Sequence, residues 1–262
     1  MIRRRYVDGP YGQLHLREAG HGGTPLILLH QSPLSGAMFK AAMPLLADAG
    51  FHAIAVDTPG FGASARPVEP VGIAGYAEAV GTVLDAMRWP KAHLLGHHTG
   101  ASIAAAFAAQ NSDRVERLIL NGVALLSDEE RAHFAQFRFA PIEAMPDGTH
   151  LIAAWNQRIA ATPGWTDLKA MHRYVVELLA NPDDYHWGFT AAFAHDLHAD
   201  LLAIRSSTLV MTNTGEDLYA ASKRAAALRP DFVFAELDGG THDIIDEQPE
   251  AWTHIVTDWL CS

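Results

Sequence analysis

Hydrophobic positions along the chain fall into two alternating patterns. Short, apolar-rich runs occupy residues 25–30, 51–57, 92–95, 115–121, 208–213 and 232–237, and the first of them is almost wholly apolar. Runs of this length are expected of strands buried on both faces of a parallel sheet. Between them apolar residues recur at helical spacing. Residues 37–49 carry Met43, Leu45 and Leu46 on one side, and residues 73–89 carry Ile73, Tyr76, Val80, Val83, Leu84 and Met87. Further helices are predicted over 101–109, 220–228 and 249–260. At the start, residues 3–8 and 13–18 read as two antiparallel strands joined by Gly9-Pro10-Tyr11-Gly12, a hairpin turn. Strands alternating with helices predict an α/β fold built on a mostly parallel sheet.

The alternation stops between residues 124 and 206. That stretch reads as helical and aromatic-rich, with Phe134, Phe137, Phe139, Trp155, Trp165, Tyr174, Tyr185, Trp187, Phe189 and Phe193. An insertion of about 80 residues between two core strands is far longer than an ordinary connection. The expected organisation is therefore a core of residues 1–123 and 207–262 with a helical cap over 124–206.

One turn stands out. Leu94-Leu95-Gly96-His97-His98-Thr99-Gly100-Ala101 runs from an apolar strand into a helix of small residues. Its Gly-x-x-x-Gly spacing is that of a nucleophile elbow, a sharp strand-to-helix turn that displays its central residue. The central residue here is His98.

Composition narrows the functional classes. The 262 residues are 49% apolar and 19% charged, with a net charge of −11. That balance argues against nucleic acid or an anionic membrane as partner and leaves a small-molecule substrate as the expectation. No apolar run approaches the roughly 18 residues of a membrane span. The arginines at residues 3–5 have no apolar stretch behind them, unlike a signal peptide. The one cysteine, Cys261, can form no internal disulfide and no zinc motif. A cytoplasmic location is the simplest expectation. No cofactor is expected.

Several motifs in order make the chain resemble the α/β-hydrolase fold superfamily with a helical cap. Leu28-Leu29-His30-Gln31-Ser32-Pro33 is similar to the oxyanion loop after the third strand. Asp57-Thr58-Pro59-Gly60-Phe61-Gly62-Ala63-Ser64 is similar to the D-x-P-G-x-G-x-S loop, and Gly96-His97-His98-Thr99-Gly100 matches G-H-S-x-G except at its centre. Gly240-Thr241-His242-Asp243 followed by Glu247-Gln248-Pro249-Glu250 matches the catalytic-histidine loop.

The resemblance implies a hydrolase acting on a small ester-like or carbon–carbon substrate. His242 takes the general-base position, since imidazole titrates near neutrality. Glu216 or Asp217 takes the position of its acidic partner; an ungapped reading favours Glu216, and one inserted residue favours Asp217. The backbone N–H groups of Ser32 and Thr99 are the expected oxyanion hole. Gln31 could add a side-chain donor. Trp155, Arg158, His186 and Trp187 are candidate substrate contacts from the cap.

Four roles for His98 remain open at this stage. It could attack a carbonyl to give an acyl-imidazole. It could act with His242 as a non-covalent acid–base pair, in hydrolysis or in a cofactor-free lyase reaction. It could bind a metal with His242 and a carboxylate, although no metal is expected. Or the site could be a non-catalytic ligand-binding relic. Ser102 is a minor alternative nucleophile, and His97 and His30 read as structural residues.

Overall fold

The computed structural model describes residues 1–134, 136 and 140–262. Phe137 and Phe139, expected as cap aromatics, lie outside the described residues.

Eight strands form one sheet: β1 (Arg3–Gly9), β2 (Gly12–Ala19), β3 (Thr24–Leu29), β4 (Phe51–Val56), β5 (Ala92–His97), β6 (Val115–Asn121), β7 (Ser207–Asn213) and β8 (Val233–Leu237). Their order is β1-β2-β4-β3-β5-β6-β7-β8. The β1–β2 hairpin joins antiparallel to β4, and every pairing from β4 to β8 is parallel. This is the α/β architecture implied by the alternating pattern.

The helices are α1 (Ala42–Asp48), α2 (Ile73–Met87), α3 (Thr99–Gln110), α4 (Asp128–Phe134), α5 (Thr149–Ala161), α6 (Leu168–Ala180), α7 (Trp187–Ala194), α8 (Leu197–Ala203), α9 (Tyr219–Leu228), α10 (Ile244–Glu247) and α11 (Pro249–Cys261). The helix expected over 37–49 is broken into a 3₁₀ turn, Gly36–Phe39, and α1. No helix among the described residues is long and apolar enough to cross a membrane.

Alternating side chains of the central strands feed two cores. In β3, Leu26 and Leu28 pack with Met43, Phe39 and Trp252 under α1 and α11, while Ile27 and Leu29 pack with Val80, Val83 and Ile103 under α2 and α3. A strand's period of two puts successive residues on opposite faces, so a run apolar at every position is what such a sheet needs. Each fully buried Leu or Ile contributes about 1.5–3 kcal/mol.

The segment between β6 and β7 holds α4 to α8. Its last helix packs on α3, with Leu197, Leu201 and Ile204 in the α2–α3 core. Helices α5 and α6 form a small core of their own around Ala154, Val175 and Leu178. Arg173 of α6 pairs with Asp246 of α10 and so ties the segment between β6 and β7 to the loop after β8.

Asp57, at the end of β4, explains the Gly- and Pro-rich loop that follows it. Its fully buried carboxylate accepts from the Gly36 and Ala63 amides at 2.9 Å and bonds His15 Nδ1 at 2.8 Å, with Arg17 beside it. Burial alone would raise its pKa, yet the bond from His15 and the Arg17 cation hold the carboxyl below the usual range. His30 is likewise structural: its Nε2 accepts from the Thr58 amide at 3.0 Å and its Nδ1 donates to the Gln31 carbonyl at 2.9 Å. Burial lowers its pKa to about 4.

Candidate active site

The turn between β5 and α3 is built by close backbone approach. A Cβ on Gly96 would lie 2.0 Å from the Gly100 carbonyl oxygen, and one on Gly100 would lie 2.1 Å from that of Leu29. Only glycine fits at either position. His98 between them has φ 52° and ψ −111°. A non-Gly residue held there costs about 1–3 kcal/mol, a strain that clusters at functional sites. Its amide donates to the Asn121 carbonyl at 2.9 Å, which anchors the turn to β6.

The His98 ring lies beside a carboxylate. His98 Nε2 is 2.6 Å from Glu216 Oε2. Glu216 follows β7, its side chain is fully buried, and its other oxygen accepts from the Thr212 hydroxyl. Burial would raise the Glu216 pKa, but the His98 bond, the nearby histidine charges and Thr212 hold it below the ordinary value. An ionised carboxylate is acceptor-only, so the proton between the two groups sits on His98 Nε2; in the neutral ring Nδ1 is then the acceptor. The Cδ2–Nε2 edge of the ring lies against Gly122, where a Cβ would come within 2.3 Å of Cδ2. Nδ1 is on the opposite edge.

His242 has different company. Its Nε2 is 2.7 Å from Arg158 Nη1, so the guanidinium donates to the ring. Its Nδ1 is 3.9 Å from Asp217 Oδ2, too long for a hydrogen bond, and Asp217 is 74% exposed. Burial first, then the Arg158 charge and the neighbouring His98 and His97, push the His242 pKa well below its usual value. The expected pairing of Glu216 with His242 is therefore not the pairing found. Glu216 is spent on His98, and His242 meets a cation at Nε2 and no carboxylate within hydrogen-bond distance at Nδ1. The ring centroids of His98 and His242 are 6.4 Å apart.

His97 supports this arrangement from below. It is fully buried, and its Nε2 donates to the His242 carbonyl at 2.9 Å. Burial, with the adjacent His98, lowers its pKa to about 3.

His98 and His242 face a cavity of about 260 Å³. Its polar wall includes Gln31, Ser32, His98, Thr99, Asp217 and His242; its apolar wall includes Phe134, Tyr174, Phe189 and Phe193. Ser102, the minor alternative nucleophile, also reaches this lining. The Ser32 amide donates to Thr99 Oγ1 at a long 3.4 Å, and Thr99 opens α3, where backbone N–H groups lack intrahelical partners. Gln31 lines the cavity, but its amide nitrogen donates to Asp243 at 3.2 Å.

The four residues expected as substrate contacts from the segment between β6 and β7 fall elsewhere. Trp155 packs in the α5–α6 core, and neither it, His186 nor Trp187 is among the cavity-lining residues. Arg158 is 2% exposed and does not line the cavity; it grips His242 and Asp243 and lies over the Tyr174 ring at 4.0 Å. Sequence reading missed Asp243, Thr212 and the cavity role of Tyr174. Asp243 was legible only as the neighbour of His242.

The donor set does not suit a metal ion. Nε2 of His98 and Glu216 satisfy each other, and Nε2 of His242 is held by a guanidinium whose charge opposes a second cation. Elsewhere Glu18, His21 and His52 hold ligand atoms within 4.8 Å of one another, but Glu18 is already engaged by His52 at 2.7 Å and by Arg5 at 3.2 Å.

Comparison with known proteins agrees with this architecture. Residues 24–248 match the alpha/beta hydrolase fold family, and the chain belongs to it. It is 34% identical over 119 residues to a 2-hydroxy-6-oxononadienedioate/2-hydroxy-6-oxononatrienedioate hydrolase of Burkholderia vietnamiensis. That match spans 44% of this chain and only 41% of the relative. Among solved structures it resembles epoxide hydrolase A of Mycobacterium thermoresistibile, with a TM-score of 0.83 and 20% identity over 100% of this chain and 99% of the other. It also resembles the enol-lactonase of Burkholderia xenovorans LB400, with a TM-score of 0.76 and 24% identity over 98% and 100% of the two chains. At such identities the two structures speak for the fold alone.

Proposed function

We propose that the protein is a hydrolase of a small ester-like or carbon–carbon substrate that works by general-base catalysis, with His98 as the base and Glu216 as its orienter. The observation that carries this reading is the 2.6 Å contact between His98 Nε2 and Glu216 Oε2. A carboxylate that fixes the imidazole tautomer and stabilises the imidazolium is the logic of the Asp–His pair in hydrolytic triads. Here the pair sits in the slot usually held by the nucleophile.

A water in the cavity gives its proton to His98 Nδ1 as its oxygen bonds to the substrate carbonyl carbon. The carbonyl oxygen becomes an oxyanion facing the Ser32 and Thr99 amides. Collapse breaks the bond to the leaving group, which takes a proton and restores neutral His98. No acyl-enzyme forms. Oriented amides of this kind contribute about 2.7–4 kcal/mol when one donor is removed.

The apolar side of the cavity favours a second reading. With Phe134, Phe189 and Phe193 leaving little polar surface for water, the same base could take its proton from the substrate, as in a cofactor-free lyase. Turnover of a panel of short activated esters in H₂¹⁸O separates the two. Hydrolysis puts ¹⁸O into the acid product, and a mass spectrum of the quenched enzyme carries no adduct on His98. Tight binding of small apolar ligands without any turnover would remove both readings.

A further inference from the structure

The partner of His242 is the least expected feature of the site. In the Ser-His-Asp triad a carboxylate accepts from Nδ1–H of the base, and Nε2 is left free to take the proton. Here Nε2 meets a donor, and Nδ1 is 3.9 Å from the Asp217 carboxylate. Arg158 Nη1 lies 2.7 Å from His242 Nε2. A guanidinium has five N–H donors and no acceptor, and it is not deprotonated in proteins. Contact at that distance is a hydrogen bond only if Nε2 carries the lone pair. The single proton of the neutral ring must then be on Nδ1.

Arg158 is itself held in place. It comes from the cap helix α5, and its guanidinium pairs with the buried Asp243 and stacks 4.0 Å from the Tyr174 ring centroid. Gln31 holds the other oxygen of Asp243 at 3.2 Å. Cation, carboxylate and ring are thus a cross-linked unit that ties cap to core, and a buried Arg of this kind cannot swing away without leaving Asp243 unpaired. His242 and Asp217 both line the cavity, with His242 Nδ1 3.9 Å from Asp217 Oδ2.

We propose that Arg158 is a positioning residue that locks His242 in its Nδ1–H tautomer, so that His242 serves as a neutral hydrogen-bond donor to a substrate oxygen and not as the base. The inference rests on the reading of His98 as base. The two imidazoles divide the labour: His98 accepts a proton through Nδ1, and His242 offers one through Nδ1–H. A neutral imidazole is a competent electrophile of this sort, and it stays neutral when a positive neighbour opposes protonation. The groups that face the His242 ring or its loop are Arg158, Asp217, Asp243, His98 and His97. Arg158 and the two histidines favour the neutral form; the carboxylate of Asp243, nearest in space at 3.6 Å, is neutralised by Arg158. The oxygen that fits is a carbonyl or leaving-group oxygen with a free lone pair.

The test is ¹⁵N NMR of the histidine side chains in the intact protein at neutral pH. His242 is expected to show a protonated Nδ1 and an unprotonated Nε2. In Arg158→Met the ring should leave that state for the Nε2–H tautomer or a mixture, and in Arg158→Lys it should be partly retained. Ester turnover by Arg158→Met should lose about ten- to a hundredfold in kcat with little change in KM, as expected when one hydrogen bond to the reacting atoms is misplaced and no binding contact is removed. An Nε2–H or doubly protonated His242 in the unmodified protein overturns the proposal without any variant. So does an unchanged tautomer in Arg158→Met. Because the tautomer is read without substrate, it stands apart from the ester assay: absence of turnover counts against the hydrolase reading, and a wrong tautomer counts against Arg158.

Discussion

Replacing Glu216 by Gln changes one buried charge and almost no volume. The side chain can still accept from either His98 or Thr212, so the fold should survive. What is lost is the negative charge beside His98. The contact is 2.6 Å between nitrogen and oxygen, which puts the charge centres about 4 Å apart. At an effective dielectric near 20, that pair is worth about 4 kcal/mol once His98 becomes imidazolium. At about 1.4 kcal/mol per decade the expected fall in kcat is roughly a thousandfold. The same exchange frees His98 to adopt the wrong tautomer, which acts in the same direction. The assay is ester kcat and KM for Glu216→Gln and Asp217→Asn, with thermal unfolding as the control for folding. Asp217 is exposed and 3.9 Å from His242, so its variant should change kcat by less than about threefold, the scale of an exposed charge pair. The reverse order, with Asp217→Asn the damaged enzyme, would falsify the assignment of Glu216 to His98.

Other consequences are open to measurement. His98→Ser is expected to lose activity and to gain no serine-esterase behaviour, because His242 is turned to donate and is held there by Arg158; labelling of the introduced hydroxyl by an activated phosphonate would contradict this. Gly122→Ala needs a left-handed alanine, at about 1–2 kcal/mol, and drives its Cβ within 2.3 Å of the His98 ring; turnover should fall far more than melting temperature, and equal small losses in both would count against the tight fit. Asp57→Ala leaves His15 and Arg17 without their buried partner, and urea unfolding should show a loss of about 3–5 kcal/mol. His30, His93 and His97 are buried with pKa values lowered to about 4, 4 and 3, so below pH 6.5 the unfolded chain binds protons that the folded chain does not. Stability is fully present above pH 6.5 and falls on acidification by up to about 1.4 kcal/mol per pH unit for each histidine, until the folded pKa is reached. A melting temperature flat from pH 6.5 to 4.5 would show that they are not buried neutral.

The alternation of apolar runs and helical segments was enough to determine the α/β sheet, because burial on both faces demands apolar residues at every strand position. The turn at residues 96–100 was legible for a related reason: its glycines mark backbone approaches of 2.0 and 2.1 Å that no side chain allows, and such constraints are written locally. So were His30, Asp57 and His242 as residues of special loops. The partners of those residues were not legible. Glu216 and Asp217 are adjacent in sequence, and a one-residue difference in the turn after β7 sends one carboxylate inward to His98 and the other to solvent. Arg158 carried no local mark of its role, since a helix pattern gives a residue's face but not which distant element that face meets. Sequence alone determined the scaffold and the two imidazoles. Only the tertiary structure decided which imidazole meets a carboxylate and which meets a guanidinium, because that depends on contacts 118 and 84 residues apart in the chain, where local pattern has no reach.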